Sequence, residues 1–156
     1  MGNILTELQA AYIAGIIDGE GCIYISKSKV RSEIGMKHAY YRVGVEVKNT
    51  DERMIDFLHK CLGGHKSLQK RQTTNNRQVY VWAAADKDAV VILRLLYEYL
   101  QCKKEQVDLI FQLRDTFNQS YSREKNEIPA WILQFREDCY NQIKKLHFVF
   151  TGKGKR

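Results

Sequence analysis

An α+β fold, with a four-stranded antiparallel sheet carrying helices on one face, is the architecture this sequence predicts. Hydrophobic spacing switches from helical to alternating and back twice, giving helix, two strands, helix, two strands and then helices. The strands come in pairs joined by short polar stretches, the pattern of antiparallel hairpins. The αββαββα unit occurs once, and 156 residues suit one domain with a genuine core. The expected division is a single domain over 1–150 and a basic, disordered tail over 151–156.

The first helix is marked by Leu5, Leu8, Ala11, Tyr12 and Ile16 at helical spacing, with Thr6 and Gln9 in capping-box positions. Gly19 and Gly21 are expected to stop it by taking left-handed conformations. Ile23 and Ile25 then alternate with Cys22, Tyr24, Ser26 and Ser28 as a strand. A polar loop or strand tip follows, from Lys27 to Lys37. Over Tyr40 to Asn49, Tyr41, Val43, Val45 and Val47 form a buried face, opposite Tyr40, Arg42, Gly44, Glu46 and Lys48. A helix over about Asp51 to Leu62 turns Ile55, Leu58 and Leu62 inward and ends at Gly63-Gly64.

A second strand pair is expected over Lys66 to Arg71 and Gln78 to Ala84, with its turn at Thr73 to Arg77. The facing of the last strand is open from the pattern alone. Tyr80 and Trp82 are the better inward pair, because aromatics fill a helix–sheet gap well. Asp86 is expected to cap an apolar helix facing inward through Val90, Val91, Leu93, Leu96 and Leu100. Another helix covers about Lys103 to Phe117, and a polar loop runs from Asn118 to Glu127. Pro129 opens a last helix that ends near Lys145.

The join between the first helix and first strand is the most unusual stretch. Ala11, Gly15 and Gly19 are four residues apart and share a helix face, which lets another helix approach closely. That approach could be tight packing within one domain or an interface. The stripe leads directly into an acid, which favours the interface. Glu20 falls at the helix C-terminus, where the helix dipole disfavours negative charge. A compensating cation is needed there, and a divalent metal would serve.

The net charge of +7 points to a polyanionic partner, a criterion that RNA-binding proteins also meet. No apolar run approaches the ~20 residues that span a bilayer, so no membrane role is expected. No signal peptide is expected either. Cys22, Cys61, Cys102 and Cys139 are dispersed without CxxC spacing, which argues against zinc and for reduced thiols in an intracellular protein. His38, His59, His65 and His147 show no pairing pattern. The sheet face away from the helices would carry Tyr24, Ser26, Ser28, Tyr40, Arg42, Glu46, Lys48, Gln69 and Arg71. It is either an ordinary solvated face or a surface for the major groove, where such side chains read base edges.

The string Ile13-Ala14-Gly15-Ile16-Ile17-Asp18-Gly19-Glu20-Gly21 resembles, almost letter for letter, the signature of the LAGLIDADG homing endonucleases. The single motif places the resemblance in the homodimeric subclass. It covers the first ~120 residues, since the αββαββα LAGLIDADG fold has this element order. The resemblance implies that Glu20 and the backbone carbonyl of Gly19 hold divalent metal, with Mg2+ expected and Mn2+ as a substitute. Many members carry Asp at the Glu20 position. It implies a dimer interface at Ala11, Tyr12, Gly15, Asp18 and Gly19, with Asp18 structural. Lys103, in Leu100-Gln101-Cys102-Lys103-Lys104-Glu105-Gln106, matches a family string whose first Lys lies in the active site. Lys104 is the runner-up, and a solvated helix start is the plainer reading. Asn49 matches a position near the active-site water or is simply a helix N-cap, and Arg53 lies where some members place a basic residue near the scissile phosphate. Lys29 and Arg77 join the face residues named above as DNA contacts.

The implied function is site-specific double-strand cleavage of a long near-palindromic site by an intron-encoded homodimer, leaving 3′ overhangs. The alternatives are an RNA maturase, with intron RNA as partner, and a non-cleaving DNA-binding regulator. An organelle or a prokaryotic cytoplasm is the implied location.

Overall fold

Thr6 opens the first helix as its sequence context dictates. In a computed structural model of the chain, which describes residues 5–69, 78–117 and 128–150 (the last three without their side chains), Thr6 is the N-cap of α1, Glu7–Glu20. Its hydroxyl accepts from the Gln9 amide, and the Gln9 side chain accepts from the Thr6 amide. The remaining elements are β1 (Gly21–Lys27), β2 (Tyr41–Asn49), α2 (Glu52–Leu62), β3 (His65–Gln69), β4 (Val79–Ala85), α3 (Asp86–Leu96), α4 (Lys104–Asp115) and α5 (Ala130–Phe150). Short 3-10 turns at Ser32–Ile34 and Tyr97–Tyr99 interrupt the connections before β2 and α4. The strands form one sheet in the order β1-β2-β4-β3. The expected α+β order is therefore realised.

The chain forms two compact units, Met1–Ile23 with Gly44–Lys104 and Tyr24–Val43 with Glu105–Arg156. In the first, β4 runs antiparallel between β2 and β3, and α2 and α3 pack on it. Val45 pairs with Ala84, Val47 with Trp82 and Lys66 with Trp82, so these positions share the helix-covered face. Trp82 is fully buried, and its indole N–H donates to the Gly63 carbonyl at 2.7 Å. Tyr80 lies on the same face as Trp82 but is only half-buried, whereas Val79 and Val81 on the opposite face are buried, so of the aromatic pair only Trp82 fills the core. Gly63 and Gly64 end α2 with φ of 70° and 81°, conformations that favour glycine.

In the second unit, α5 meets the β1–β2 hairpin through Glu137. Its carboxylate accepts from Lys27 at 2.6 Å and from the Tyr41 hydroxyl. Buried Arg136 donates to the Thr116 hydroxyl (2.8 Å) and carbonyl (3.1 Å) and lies over the Phe117 ring, tying α5 to the end of α4.

Several expected details differ. Gly21 ends α1 in an extended conformation (φ −79°), not a left-handed one, and Gly19 stays helical. Leu8 and Tyr12 are 84% and 58% exposed, while Ala10, Ile13, Ala14, Ile16 and Ile17 face the core. Helix α1 is thus apolar on both sides, because its inward stripe is one position out of phase with the spacing first read. Asp86 is the first residue of α3 at φ 51°, and Ala85 occupies the N-cap without a side-chain bond. The inward face of α3 is Ala89, Ile92, Leu93 and Leu96, leaving Val91 57% exposed. Pro129 precedes α5, its carbonyl accepting from Ile132 and Leu133, and the helix continues to Phe150. Arg71, Arg77, the turn at 73–77, the loop at 118–127 and the tail at 151–156 lie outside the described residues.

Candidate active site

Gly21 fixes how the α1 helix leaves for β1. Its amide donates to the Ile17 carbonyl, and a Cβ there would lie 2.6 Å from that oxygen and 2.8 Å from the Ile17 Cα. Glycine is needed here for close approach, not for a left-handed torsion. Gly21→Ala is expected to cost roughly 1–3 kcal/mol through overpacking. Thermal denaturation reads that as a lower Tm, about 2–4 °C per kcal/mol in a chain of this size. An unchanged Tm would show that the turn has room.

Lys103 and Asp18 lock this turn in place from opposite directions. The Lys103 ammonium donates to the carbonyls of Ile17 (2.7 Å), Asp18 (2.9 Å) and Gly21 (2.6 Å). Ile17 and Asp18 lie in the last turn of α1 and Gly21 is its C-cap, at the helix end that favours a cation. The Asp18 carboxylate in turn accepts from the successive amides of Gln101 (2.7 Å), Cys102 (3.2 Å) and Lys103 (3.1 Å), just ahead of α4. Burial pushes the Lys103 ammonium below its ordinary pKa, and the Asp18 charge opposes this. The Asp18 carboxylate, expected at the dimer interface in a structural role, is hydrogen-bonded within its own chain.

Glu20 and Gly19 stand at the exposed end of α1. Neither the Gly19 carbonyl nor the Glu20 carboxylate is among the groups that Lys103 holds. Among the described residues, no three His, Cys, Asp or Glu side chains converge to hold a metal. A hard cation takes six or more oxygen ligands, so a site built on one carboxylate and one carbonyl would leave the rest of its shell to other oxygens.

The other candidate positions separate into groups. Asn49 is not the α2 N-cap; Asp51 is, accepting from the Arg53 amide. The Asn49 side chain instead accepts from the Asp51 amide at 2.8 Å. Arg53 is bidentate on Asp51, with Nε at 3.0 Å and Nη2 at 2.6 Å, on an exposed surface. These hydrogen bonds hold the Asp51 carboxyl below its usual range. Among the described residues, neither Asn49 nor Arg53 is bonded to Glu20 or Lys103. Lys104 lies 5.2 Å from the centre of the Tyr97 ring.

On the sheet's other face in the first unit, Glu46 pairs with Ala83 and Lys48 with Val81, and the two side chains form an ion pair at 3.0 Å. Gln69 opposite Val79 shares that face, as do His65 and Ser67. Sequence reasoning missed the last two; the alternation of β3 about Lys66 and Leu68 was the available signal. It also missed Cys22, a half-buried thiol whose pKa burial and Glu46 push up while Lys103 and Lys48 pull it down. In the second unit, Ser28 and Tyr40 are hydrogen-bonded across the hairpin and the Ser26 hydroxyl reaches the Arg42 carbonyl. Ser26, Lys29 and Arg42 are exposed, and Tyr24 and Ser28 are half-buried. Tyr40 is only partly available, since its ring packs edge-on against Phe117.

The site thus joins a single αββαββα unit to a glycine-acid turn that closes its first helix. The family model described as LAGLIDADG endonuclease matches residues 13–109, and the chain belongs to that family. A comparison with curated proteins found no significant sequence match. Among solved structures, the chain is similar to the homing endonuclease I-CvuI in complex with the I-CreI target, at 21% identity and TM-score 0.69, covering 96% of this chain and 86% of that one. It is similar to the archaeal intron-encoded homing endonuclease I-Vdi141I complexed with DNA, at 14% identity and TM-score 0.68, covering 90% and 84%. It also matches the LAGLIDADG homing endonuclease I-SmaMI bound to cleaved DNA, at 14% identity and TM-score 0.64, covering 92% of this chain but 47% of that one. No described helix is long and apolar enough to cross a membrane.

Proposed function

We propose that this chain is a divalent-metal-dependent endonuclease that cuts duplex DNA at a long near-palindromic site as a homodimer, one Glu20 from each copy. The observation that carries this reading is the exposed Gly19–Glu20 turn, an acid held at a helix C-terminus beside an exposed face of α1. That face consists of Leu8, Ala11, Tyr12, Gly15 and Gly19. A second copy would cover it and bring two such turns together about a two-fold axis.

When bound at Glu20, a divalent ion supplies a Lewis acid for the scissile phosphate and lowers the pKa of a bound water. Glu20 and the Gly19 carbonyl orient that ion. Mg2+ suits this oxygen donor set, and Mn2+ is a reasonable substitute. Exposed Ser26, Arg42, Lys48 and Gln69, with His65 and Ser67, supply donors and acceptors for base edges, and Lys29 a cation for the backbone. I-CvuI was crystallised with the I-CreI target and 2 mM Mg with the DNA not cleaved, and I-SmaMI with cleaved DNA.

Cleavage of a randomised plasmid library, with Mg2+ and with EDTA, tests the reading. The expected result is Mg2+-dependent linearisation at one near-palindromic site with 3′ overhangs, abolished by EDTA. No cutting in Mg2+ or Mn2+, with DNA or intron RNA still bound, would overturn the endonuclease assignment.

A further inference from the structure

Lys103 is the lysine that the family string places in the active site, and the structure gives all three of its ammonium protons acceptors within the chain. Ile17, Asp18 and Gly21 each contribute a carbonyl between 2.6 and 2.9 Å away. An ammonium has three donors and no more. The partner carboxylate is equally engaged, since Asp18 accepts from three successive amides at residues 101–103. The two residues therefore cap each other's segment: the cation closes the end of α1, and the anion closes the turn entering α4.

We infer that Asp18 and Lys103 form a reciprocal latch that sets the position of the Gly19–Glu20 turn, which makes Lys103 a positioning residue and not a contact to the phosphate. The geometry explains why the latch spares the turn itself. Lys103 takes carbonyls on either side of Gly19–Glu20, and those two residues stay exposed and outside its bonds. The ammonium also offsets the unfavourable placement of an acid at a helix C-terminus. Three carbonyls converging on one tetrahedral nitrogen suit an ammonium, whereas a guanidinium presents its donors in a flat fork. Retaining the charge is thus not enough to retain the latch.

Two measurements test this, the first independent of any nuclease activity. Melting temperatures of the metal-free protein are compared for wild type, Asp18→Asn, Lys103→Met, Lys103→Arg and the Asp18→Asn/Lys103→Met double variant. Each single variant is expected to lose roughly 5–10 °C, for charged hydrogen bonds broken in a chain of this size. Lys103→Arg should not recover the loss, and the double variant should lose clearly less than the sum of its singles. Additive losses, or full recovery by Lys103→Arg, would overturn the latch. If Lys103→Met does not fold, Asp18→Asn, Lys103→Arg and their double variant carry the same comparison.

The second measurement rests on the endonuclease reading: Mg2+ titration of single-turnover cutting, on a plasmid carrying the site that wild type selects. A displaced metal turn predicts that the Mg2+ needed for half-maximal rate rises about tenfold, the scale for losing a group that supports a metal ligand, with the rate restored at saturation. An unchanged midpoint with a lost plateau would assign Lys103 to the phosphate and overturn the positioning role. If wild type cuts nothing, the endonuclease reading fails, and the melting comparison still decides the latch.

Discussion

Glu20→Gln is expected to abolish DNA cutting while leaving DNA binding intact. The substitution keeps the side chain's size and removes its charge, and the exposed Glu20 makes no bond that the fold requires. The Lys103–Asp18 contacts are untouched, because they run through the carbonyls of residues 17, 18 and 21 and the amides of residues 101–103. Folding should therefore be unchanged. A neutral amide is a poor ligand for a hard divalent ion, so metal-derived stabilisation of the transition state is lost. That stabilisation is worth several kcal/mol, which corresponds to a fall in rate on the order of 1000-fold. Single-turnover cutting in Mg2+ and gel shifts of the uncut site in Ca2+ measure the two halves. Full cutting by Glu20→Gln would remove Glu20 from the catalytic centre; lost binding would show that the turn contacts DNA directly.

The sequence was most legible where local chemistry dominates. Alternation in β2 gave the buried face Tyr41, Val43, Val45 and Val47, because its other phase is marked by Arg42, Glu46 and Lys48, whereas β4 is apolar on both phases. The capping box at Thr6 and the stop at Gly63-Gly64 depend only on neighbours within one turn. Helix phase was harder to read. In α1, apolar residues surround the axis, so Leu8 and Tyr12 looked like core while they stand exposed. That error is informative, since a surface helix with apolar residues on both sides has more to bury than its own chain covers. At the site, the motif identified the acid but not the chemistry of its neighbours. The roles of Asp18 and Lys103 depend on a contact between residues 85 apart in sequence, which no spacing rule reaches. Cys22 was read only as a dispersed thiol and His65 only as a histidine outside any pairing pattern, and Ser67 was not singled out, because strand facing had been argued from larger side chains.

Gly15→Leu is expected to convert the protein to a monomer that no longer makes double-strand breaks. Glycine inside a helix costs roughly 0.5–1 kcal/mol relative to alanine, so Gly15 and Gly19 need a reason to be glycine. The chain by itself supplies none: an added Cβ at either position meets nothing within 4 Å. Both lie on the exposed face with Ala11, beside Leu8 and Tyr12. Were that face solvated, Gly15→Ala would simply raise Tm by about 1–4 °C. Were it packed on the same face of a second copy, a leucine would push the helices apart. In an isologous pair each substitution enters the interface twice. Overpacking of about 1–3 kcal/mol per copy then weakens the dimer on the order of 100-fold or more. Sedimentation equilibrium measures the dimer directly, and a supercoiled plasmid distinguishes loss of double-strand cutting from general inactivity. A Gly15→Leu protein that stays dimeric and cuts both strands would show that the small-residue face of α1 is not where two copies meet.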